Sequence, residues 1–207
     1  EVTHGWLAAL ARAIHATPDA GIACPLSNHA TILSAPHFAV PQALPEGVDA
    51  ASIAAWLAKQ GPLAPAPWLP TAVGFCMYVT RRAWDAAGPF DDAFGRGYGE
   101  ECDLSLRAWA RGLRIVCAAD AFVAHAGSAS FGTSAAVAAR RRVAEALMDA
   151  RWPSYRRAVA TFLVDNPLRG RLEAMRRWLD ERRIGPRMRV VHLAHRWGRT
   201  GGVEHVV

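Results

Sequence analysis

The first part of the chain alternates between regularly spaced apolar residues and polar, proline-rich stretches. An apolar stripe at helical spacing over residues 6–14 predicts a first helix. A short apolar run over residues 21–24 predicts a buried strand, and Asp49 is expected to cap a second helix that ends at Gly61. Residues 25–48, which are rich in proline, serine and asparagine, are expected to form a long ordered loop.

The middle of the chain shows the same mixture of helical and strand patterns. In order, it predicts a strand over residues 71–79, a helix from Thr80 to Gly88, a helix over 101–111, and two short strands over 114–117 and 122–125 separated by a turn at Ala119–Asp120. Strands that alternate with helices in this way are typical of an α/β fold.

After residue 132 the composition changes, because the chain becomes rich in arginine and patterned as helices. Breaks in this pattern are predicted at Trp152–Pro153 and at Asn166–Pro167. Residues 188–194 then read as a new hydrophobic strand, followed by a glycine-containing turn over 199–202. This ending is typical of the first βα element of a Rossmann-like domain. We therefore expect three units, over residues 1–132, 133–186 and 187–207.

Composition limits the classes of protein that need to be considered. The 207 residues are 52% hydrophobic, which excludes disorder as the main state. The net charge of +6 comes almost entirely from arginine, since Lys59 is the only lysine. Residues 61–80 are uncharged but contain four prolines, so they do not predict a membrane span. The four cysteines form no CxxC pair, which favours a reduced, cytoplasmic protein.

The densest group of chemically active side chains lies at the predicted start of the 101–111 helix. Glu100, Glu101 and Asp103 follow a turn that contains Tyr98 and Gly99. Acidic residues in a first helical turn often only stabilise the helix, by about 0.3–1 kcal/mol each. Alternatively, one of these carboxylates faces a cleft and takes a proton from a hydroxyl group. Spacing alone leaves both interpretations open.

His125 is the second candidate, because it ends a predicted strand and precedes a loop of small residues. Such a histidine is often a packing residue. A loop of small residues also allows close approach of a phosphate or a metal ion, so His125 could equally be a ligand.

Taken together, five segments resemble family 2 glycosyltransferases with the GT-A fold. The segments are Gly74-Phe75-Cys76-Met77-Tyr78, Gly88-Pro89-Phe90-Asp91, Tyr98-Gly99-Glu100-Glu101-Cys102-Asp103-Leu104 with Arg107-Ala108, Ala119-Asp120 through His125 to Phe131-Gly132, and Pro25-Leu26-Ser27-Asn28-His29-Ala30-Thr31-Ile32. The resemblance covers residues 1–132. It implies inverting transfer of a sugar from a nucleotide-diphosphate donor to a hydroxyl acceptor, which would be a saccharide or a lipid-linked molecule.

The resemblance also assigns roles to particular residues. It implies that Glu101 is the base, although this chain has glutamate where the family usually has aspartate, and Glu100 and Asp103 therefore remain alternatives. His125 would approach a divalent cation, Mn²⁺ or Mg²⁺, together with the diphosphate. The expected substrate-binding residues are Gly74, Phe75, Cys76, Tyr98 and Gly99.

Two parts of the expected enzyme are not recognisable in the sequence. The nucleotide-binding first half of the GT-A fold and its Asp-x-Asp motif would precede Glu1. The chain is thus expected to be a partial GT-A fold that needs the missing halves of a longer protein and is inactive alone. Residues 187–207 resemble the start of a family 4-like GT-B glycosyltransferase.

Other classes of protein fit the sequence less well. A non-catalytic carbohydrate-binding or scaffolding module would use the acidic residues only as helix caps, and a glycoside hydrolase would also need paired carboxylates. Nucleic-acid binding is not expected, because the basic residues are concentrated in the 133–186 connector and are not interleaved with aromatic residues. The connector is expected to be solvated, or to lie on an anionic membrane surface. The resemblance suggests cell-surface polysaccharide or lipopolysaccharide assembly, in the cytoplasm or at the inner face of its membrane.

Overall fold

The computed structural model describes residues 1–95, 98–127 and 135–183, and shows a mixed α/β fold. In this part of the chain, four strands form one sheet with helices against it, and a helical region follows. The α/β class predicted from the sequence is therefore confirmed.

The helices and strands alternate in the first two thirds of the chain. The strands are β1 (Ala20–Leu26), β2 (Trp68–Leu69), β3 (Tyr78–Val79) and β4 (Arg114–Phe122). The helices are α1 (Trp6–His15), α2 (Ala50–Gln60), α3 (Arg81–Ala87), α4 (Glu100–Ala110), α5 (Ala135–Arg151), α6 (Tyr155–Asp165) and α7 (Arg169–Arg183). The predicted caps Asp49 and Thr80 are confirmed, because their side chains accept hydrogen bonds from the first turns of α2 and α3.

The long strands β1 and β4 lie side by side at the centre of the sheet, whose strand order is β2-β4-β1-β3. They run parallel, with Ala23 opposite Val116 and Cys24 opposite Cys117. The short edge strands β2 and β3 are both antiparallel to their neighbours. The centre of the sheet is thus a parallel pair, and helices on both faces are expected to cover it.

Alternate residues of the central strands do reach two different cores. In β1, Ile22 and Cys24 belong to one apolar cluster, which also contains residues of α2, α3, α4 and α7. Ala23 faces the other side, where it packs with Leu10 and Ile14 of α1. This two-residue period is the geometry of an extended strand buried on both faces. Within the described residues the fold is therefore three-layered, and α1 is the one helix that packs on the Ala23 side of the sheet.

Helix α7 is part of the main core. Leu168, Leu172 and Met175 are almost completely buried in the same cluster as the sheet. Arg171 donates to the carbonyl oxygens of Ala119 (3.2 Å) and Gly61 (2.9 Å), which joins α7 to β4 and to the end of α2. The helices and both proline breaks were predicted correctly. The expectation of a solvated connector was wrong for α7, because a helix with this apolar stripe gains stability by burying it. Most described residues of α5 and α6 are exposed.

The predicted strand over residues 71–79 is mostly a loop, and this prediction was wrong except at β3. The main-chain N–H of Ala72 donates to the hydroxyl of Ser105 (3.0 Å), and that of Cys76 turns back to Val73. These bonds satisfy the backbone without a neighbouring strand. The edge strand that pairs with β4 is β2, which comes earlier, at Trp68–Leu69. Prolines lie on both sides of β2, and the sequence pattern did not predict a strand there.

The two strands predicted over 114–117 and 122–125 are one strand, β4, that ends at Phe122. The expected turn at Ala119–Asp120 is instead an irregularity in the pairing with β1, between the partners of Pro25 and Leu26. Asp120 does not face solvent as a turn residue would. Its carboxylate is buried and accepts a 2.6 Å bond from Arg12.

Several sequence predictions fall outside the described residues. These are the strand at 188–194, the turn at 199–202, the whole of the 187–207 unit, and the part of the small-residue loop after Gly127. Among the helices that the structure does describe, none has the length and apolar character needed to cross a bilayer.

The contact between β1 and α3 leads to a stability prediction. A Cβ atom at Gly21 would lie 2.9 Å from the Cβ of Ala83 and 3.1 Å from that of Leu113. Gly21→Ala is expected to lower the free energy of unfolding by about 1–3 kcal/mol, because the core has no room for an extra methyl group. Urea denaturation followed by circular dichroism measures this change.

Gly170→Ala is the matched control. Gly170 lies in the first turn of α7, and nothing lies within 4 Å of the position its Cβ would take. Alanine there is expected to be neutral or to stabilise by up to about 1 kcal/mol. Equal effects of the two substitutions would contradict the close packing of β1 against α3.

Candidate functional site

The acidic cluster lies at the start of α4, as the sequence predicts. Gly99 precedes the helix with a φ of +91°, and a Cβ there would lie 3.0 Å from the Phe94 ring. Both facts require glycine at this position. Glu100, Glu101 and Asp103 all fall in the first turn, where the helix dipole favours negative charge.

Asp103 is fully buried, and both of its oxygens accept hydrogen bonds. One oxygen binds Nε of Arg107 (2.7 Å), and the other binds Arg151 (3.0 Å) and the indole N–H of Trp152 (2.9 Å). Burial by itself would raise the pKa of this carboxyl, but the bonds from Trp152, Arg107 and Arg151 together hold it below the usual value. Asp103 is thus fixed as a carboxylate that joins α4 to the end of α5, which argues against it as the base.

Glu101 has a different environment, although it is only two residues away. Its side chain lies against Gly74, where a Cβ would be 3.5 Å from its Cγ. Burial raises the pKa of Glu101, and the adjacent charge of Glu100 adds to this effect, while N–H groups at the helix start oppose it. A half-buried carboxyl group with a raised pKa is characteristic of groups that transfer protons. Glu100 lies in the same turn.

Ser105 fixes the loop that covers Glu101. Its hydroxyl donates to the carbonyl of Glu101 (2.6 Å), one turn earlier in α4, and accepts from the N–H of Ala72 (3.0 Å). Because Ser105 is completely buried, these two bonds determine where residues 72–75 lie relative to the helix. Gly74 is therefore held beside Glu101 by a side chain that the sequence analysis did not identify.

His125, which follows β4, contacts the same loop. Its imidazole stacks on Phe75, with ring centres 5.6 Å apart and an angle of 24°. Its Nδ1 is 2.7 Å from the carbonyl oxygen of His29. Since a carbonyl only accepts, Nδ1 carries the proton and Nε2 of the neutral ring keeps a lone pair. Gly74 lies beside Glu101 and the adjacent Phe75 stacks on His125, so this loop contacts both candidate residues.

Three thiols lie around this loop. Burial raises the pKa of Cys24 to about 12 and that of Cys102 to about 12, and the charge of Glu101 contributes to both. Burial likewise raises the pKa of Cys76 to about 11. The substrate-binding role predicted for Cys76 is thus that of a neutral side chain.

Tyr98 and Gly99 face the helical region. A Cβ at Gly99 would lie 3.4 Å from Met148 of α5, and Tyr98 packs against the cluster that contains Met148. The guanidinium of Arg141 lies 5.5 Å from the centre of the Tyr98 ring. These contacts give both residues a packing role, and their substrate contacts stay a prediction.

Some residues of the site gave no signal in the sequence. The sequence marks Trp152 only as part of a helix break, yet its indole N–H donates to the carboxylate of Asp103, 49 residues earlier in the chain. No sequence pattern singled out Tyr155, whose hydroxyl is 3.2 Å from the Cys102 sulfur. Asn28 and His29 were part of a family-like segment, but no single role was attached to them.

The fit of a divalent cation can be judged from the donor groups. His125 offers one ring nitrogen with a lone pair, which suits a metal ion. Among the described residues, however, no three histidine, cysteine or acidic side chains are placed to share a metal. The described residues alone therefore do not make a metal site.

Comparison of the chain with protein-family models, with curated proteins and with solved structures finds no match.

The buried ion pairs of Asp103 lead to a second stability prediction. Asp103→Asn is expected to lower the free energy of unfolding by about 3 kcal/mol, since it removes the charge that Arg107 and Arg151 share. Asp149→Asn is the matched control, because Asp149 pairs with Arg156 at the exposed surface. This control is expected to have a much smaller effect. Similar losses in urea denaturation would contradict the structural role of Asp103.

The same variant should change the response to acid. The folded state lowers the pKa of Asp103, so the stabilisation is complete above the usual value near 3.8 and is lost as the pH falls below it. The free energy of unfolding of the Asn variant should therefore fall less steeply below about pH 4 than that of the parent protein. Equal slopes would show that Asp103 is not held ionised by its partners.

Proposed function

We propose that the chain is the acceptor-side part of a nucleotide-sugar-dependent glycosyltransferase of the family 2 type, with Glu101 as its general base. The observation that carries this proposal is the position of Glu101, half-buried at the start of α4 beside Gly74 with a raised pKa. In the reaction, an acceptor hydroxyl oxygen bonds to the anomeric carbon of the sugar. The bond from that carbon to the nucleoside diphosphate breaks, and Glu101 takes the hydroxyl proton.

The surroundings of Glu101 support this role in two ways. A carboxyl group whose pKa is raised is a stronger base when ionised than a fully solvated one, and proton transfer is most effective when the pKa approaches the working pH. A residue larger than alanine at position 74 would extend over the carboxyl group. Glycine at this position therefore leaves room for an acceptor hydroxyl group.

The remaining parts of the enzyme come from the resemblance. The donor site and the Asp-x-Asp motif would lie in a part of the protein that precedes these residues. A bound Mn²⁺ or Mg²⁺ would neutralise the departing diphosphate. The acceptor would be a saccharide or a lipid-linked molecule, used in cell-envelope polysaccharide assembly in the cytoplasm or at the membrane's inner face. Residues 187–207 would begin a second, family 4-like transferase.

A non-catalytic carbohydrate-binding or scaffolding module is the second candidate. It is favoured by Asp103, whose charge is used entirely for joining α4 to α5, and by the packing roles of Tyr98 and Gly99. In such a protein Glu101 would only complete the helix start, and its removal would leave the function unchanged.

Substitution of Glu101 separates these candidates. The full-length protein, expressed from its complete reading frame, is assayed for nucleoside diphosphate release from UDP-, GDP- and dTDP-sugars with Mn²⁺ and saccharide acceptors. Glu101→Gln is expected to lower kcat at least about 100-fold, because it removes the base while keeping the side-chain shape. Glu181→Gln, an exposed residue on α7, is expected to leave kcat unchanged.

Each other outcome excludes part of the proposal. Full activity of Glu101→Gln with loss in Glu100→Gln would transfer the role of base to Glu100. Activity in both variants would exclude both glutamates as the base. Absence of donor consumption by the unaltered protein would exclude the transferase and favour the binding module. Consumption of a glycan without a nucleotide sugar would indicate a hydrolase.

The pH dependence of kcat/KM gives a further check. Because the pKa of Glu101 is raised above the usual 4.5, the acidic limb of the profile should have its midpoint above that value. Activity should rise with pH through this midpoint, since the base must be ionised. A midpoint at or below the ordinary glutamate value would contradict the assignment of Glu101.

A further inference from the structure

Asn28 makes an unusual set of contacts with the main chain around His125. Its amide oxygen accepts from the N–H of His125 (2.9 Å), and its amide nitrogen donates to the carbonyl of the same residue (3.0 Å). The amide nitrogen also donates to the carbonyl of Gln42 (2.9 Å). Asn28 is 7% exposed, so these bonds have little competition from water.

These bonds occur where the strand pairing of β4 has ended. β4 ends at Phe122, and the N–H of Ala124 binds the carbonyl of Glu1. The backbone groups of His125 are instead paired by one side chain that both accepts and donates, as a neighbouring strand would. A carboxamide does this with two separate atoms, an accepting oxygen and a donating nitrogen, whereas an ionised carboxylate cannot donate and a hydrocarbon can do neither.

His29, the residue that follows Asn28, holds the ring of His125 in place. The carbonyl of His29 accepts the proton on Nδ1 at 2.7 Å. The His29 ring also meets the His125 ring edge-on, with centres 5.7 Å apart. The pair Asn28–His29 therefore fixes the backbone of His125 through one residue and its tautomer through the other.

The His29 carbonyl can do this only if it stays in place. A Cβ atom at Gly127 would lie 2.8 Å from Nε2 of His29, so the chain just after His125 lies directly on the His29 ring. Phe75 covers one face of the His125 ring. Neighbours on several sides therefore restrict movement of the two histidines, and the amide of Asn28 is the link that joins their two segments.

We propose that Asn28 is a positioning residue of the candidate site, which holds His125 so that Nδ1 is protonated and Nε2 is presented as an electron-pair donor. A lone pair at Nε2 suits a metal ion or a hydroxyl donor and repels a bare anionic oxygen. The effect on transfer rests on the proposed function, whereas the effect on the His125 ring does not.

Nuclear magnetic resonance tests the ring directly. In this chain labelled with ¹⁵N-histidine, two-bond ¹H–¹⁵N spectra identify the tautomer of each histidine, and His125→Gln identifies the His125 signals. The parent protein is expected to show the Nδ1–H tautomer at His125. An Nε2–H tautomer there would overturn the proposal without any variant of Asn28.

Two substitutions test Asn28 itself. Asn28→Asp keeps an acceptor for the His125 N–H but loses both donated bonds. Asn28→Ala loses these three bonds and also the longer one from the Ser27 hydroxyl (3.5 Å). Both are expected to give a mixture of tautomers at His125. Gln42→Ala is the control, since the carbonyl that accepts from Asn28 belongs to its main chain. A single Nδ1–H tautomer in both Asn28 variants would overturn the proposal.

Kinetics of the full-length protein add the functional measurement. Both Asn28 variants are expected to lower kcat by about 10- to 100-fold, as is usual when the partner of a ligating histidine is lost. Unchanged kcat with an altered tautomer would overturn the functional part of the proposal. If the unaltered protein consumes no nucleotide sugar, the proposed function fails, but the tautomer measurement still decides the role of Asn28.

Discussion

The buried carboxylate of Asp103 is the interaction on which the rest of the site depends. A charge without exposure to water is unfavourable unless hydrogen-bond donors surround it, and three donors do so here. They come from α4 itself and from the end of α5. Arg107 also donates to the carbonyls of Ala87 and Pro89, which carries the connection to the end of α3. The start of α4 is thus held by segments from three parts of the chain.

This arrangement explains how three neighbouring acidic residues can have different properties. Asp103 points towards arginine and tryptophan donors, which favour its ionised form. Glu101, two residues earlier, points towards the loop at Gly74, where burial favours the protonated form. A helix turns by about 100° per residue, so positions 101 and 103 face nearly opposite directions. One helix start therefore supplies a structural carboxylate on one side and a candidate base on the other.

The sequence was sufficient for the elements with strong local signals. The caps Asp49 and Thr80 and the proline breaks after α5 and α6 depend on neighbouring residues, and each was predicted correctly. The strand prediction for residues 71–79 was mostly wrong because a run of apolar residues resembles a strand, whereas the N–H of Ala72 donates to Ser105, 33 residues later. A pattern of local hydrophobicity contains no information about such a partner.

The same limit applies to the site. The acidic turn could be located because three carboxylates follow a glycine, but its division into different environments depends on Arg151 and Trp152. The packing of α7 on the sheet was missed for a related reason. Its arginine-rich composition suggested solvent exposure, although the guanidinium of Arg171 donates to the main-chain carbonyls of Ala119 and Gly61.

The thiols around the Gly74 loop have a consequence for the chemical durability of the protein. Because the pKa values of Cys24, Cys76 and Cys102 are about 12, 11 and 12, almost no thiolate is present at neutral pH. Thiolate is the form that reacts with peroxides and alkylating agents. The three sulfur atoms therefore act as polarizable, uncharged packing atoms. The loop at Gly74 should therefore resist damage by oxidants, although three of the four cysteines of the described chain lie around it.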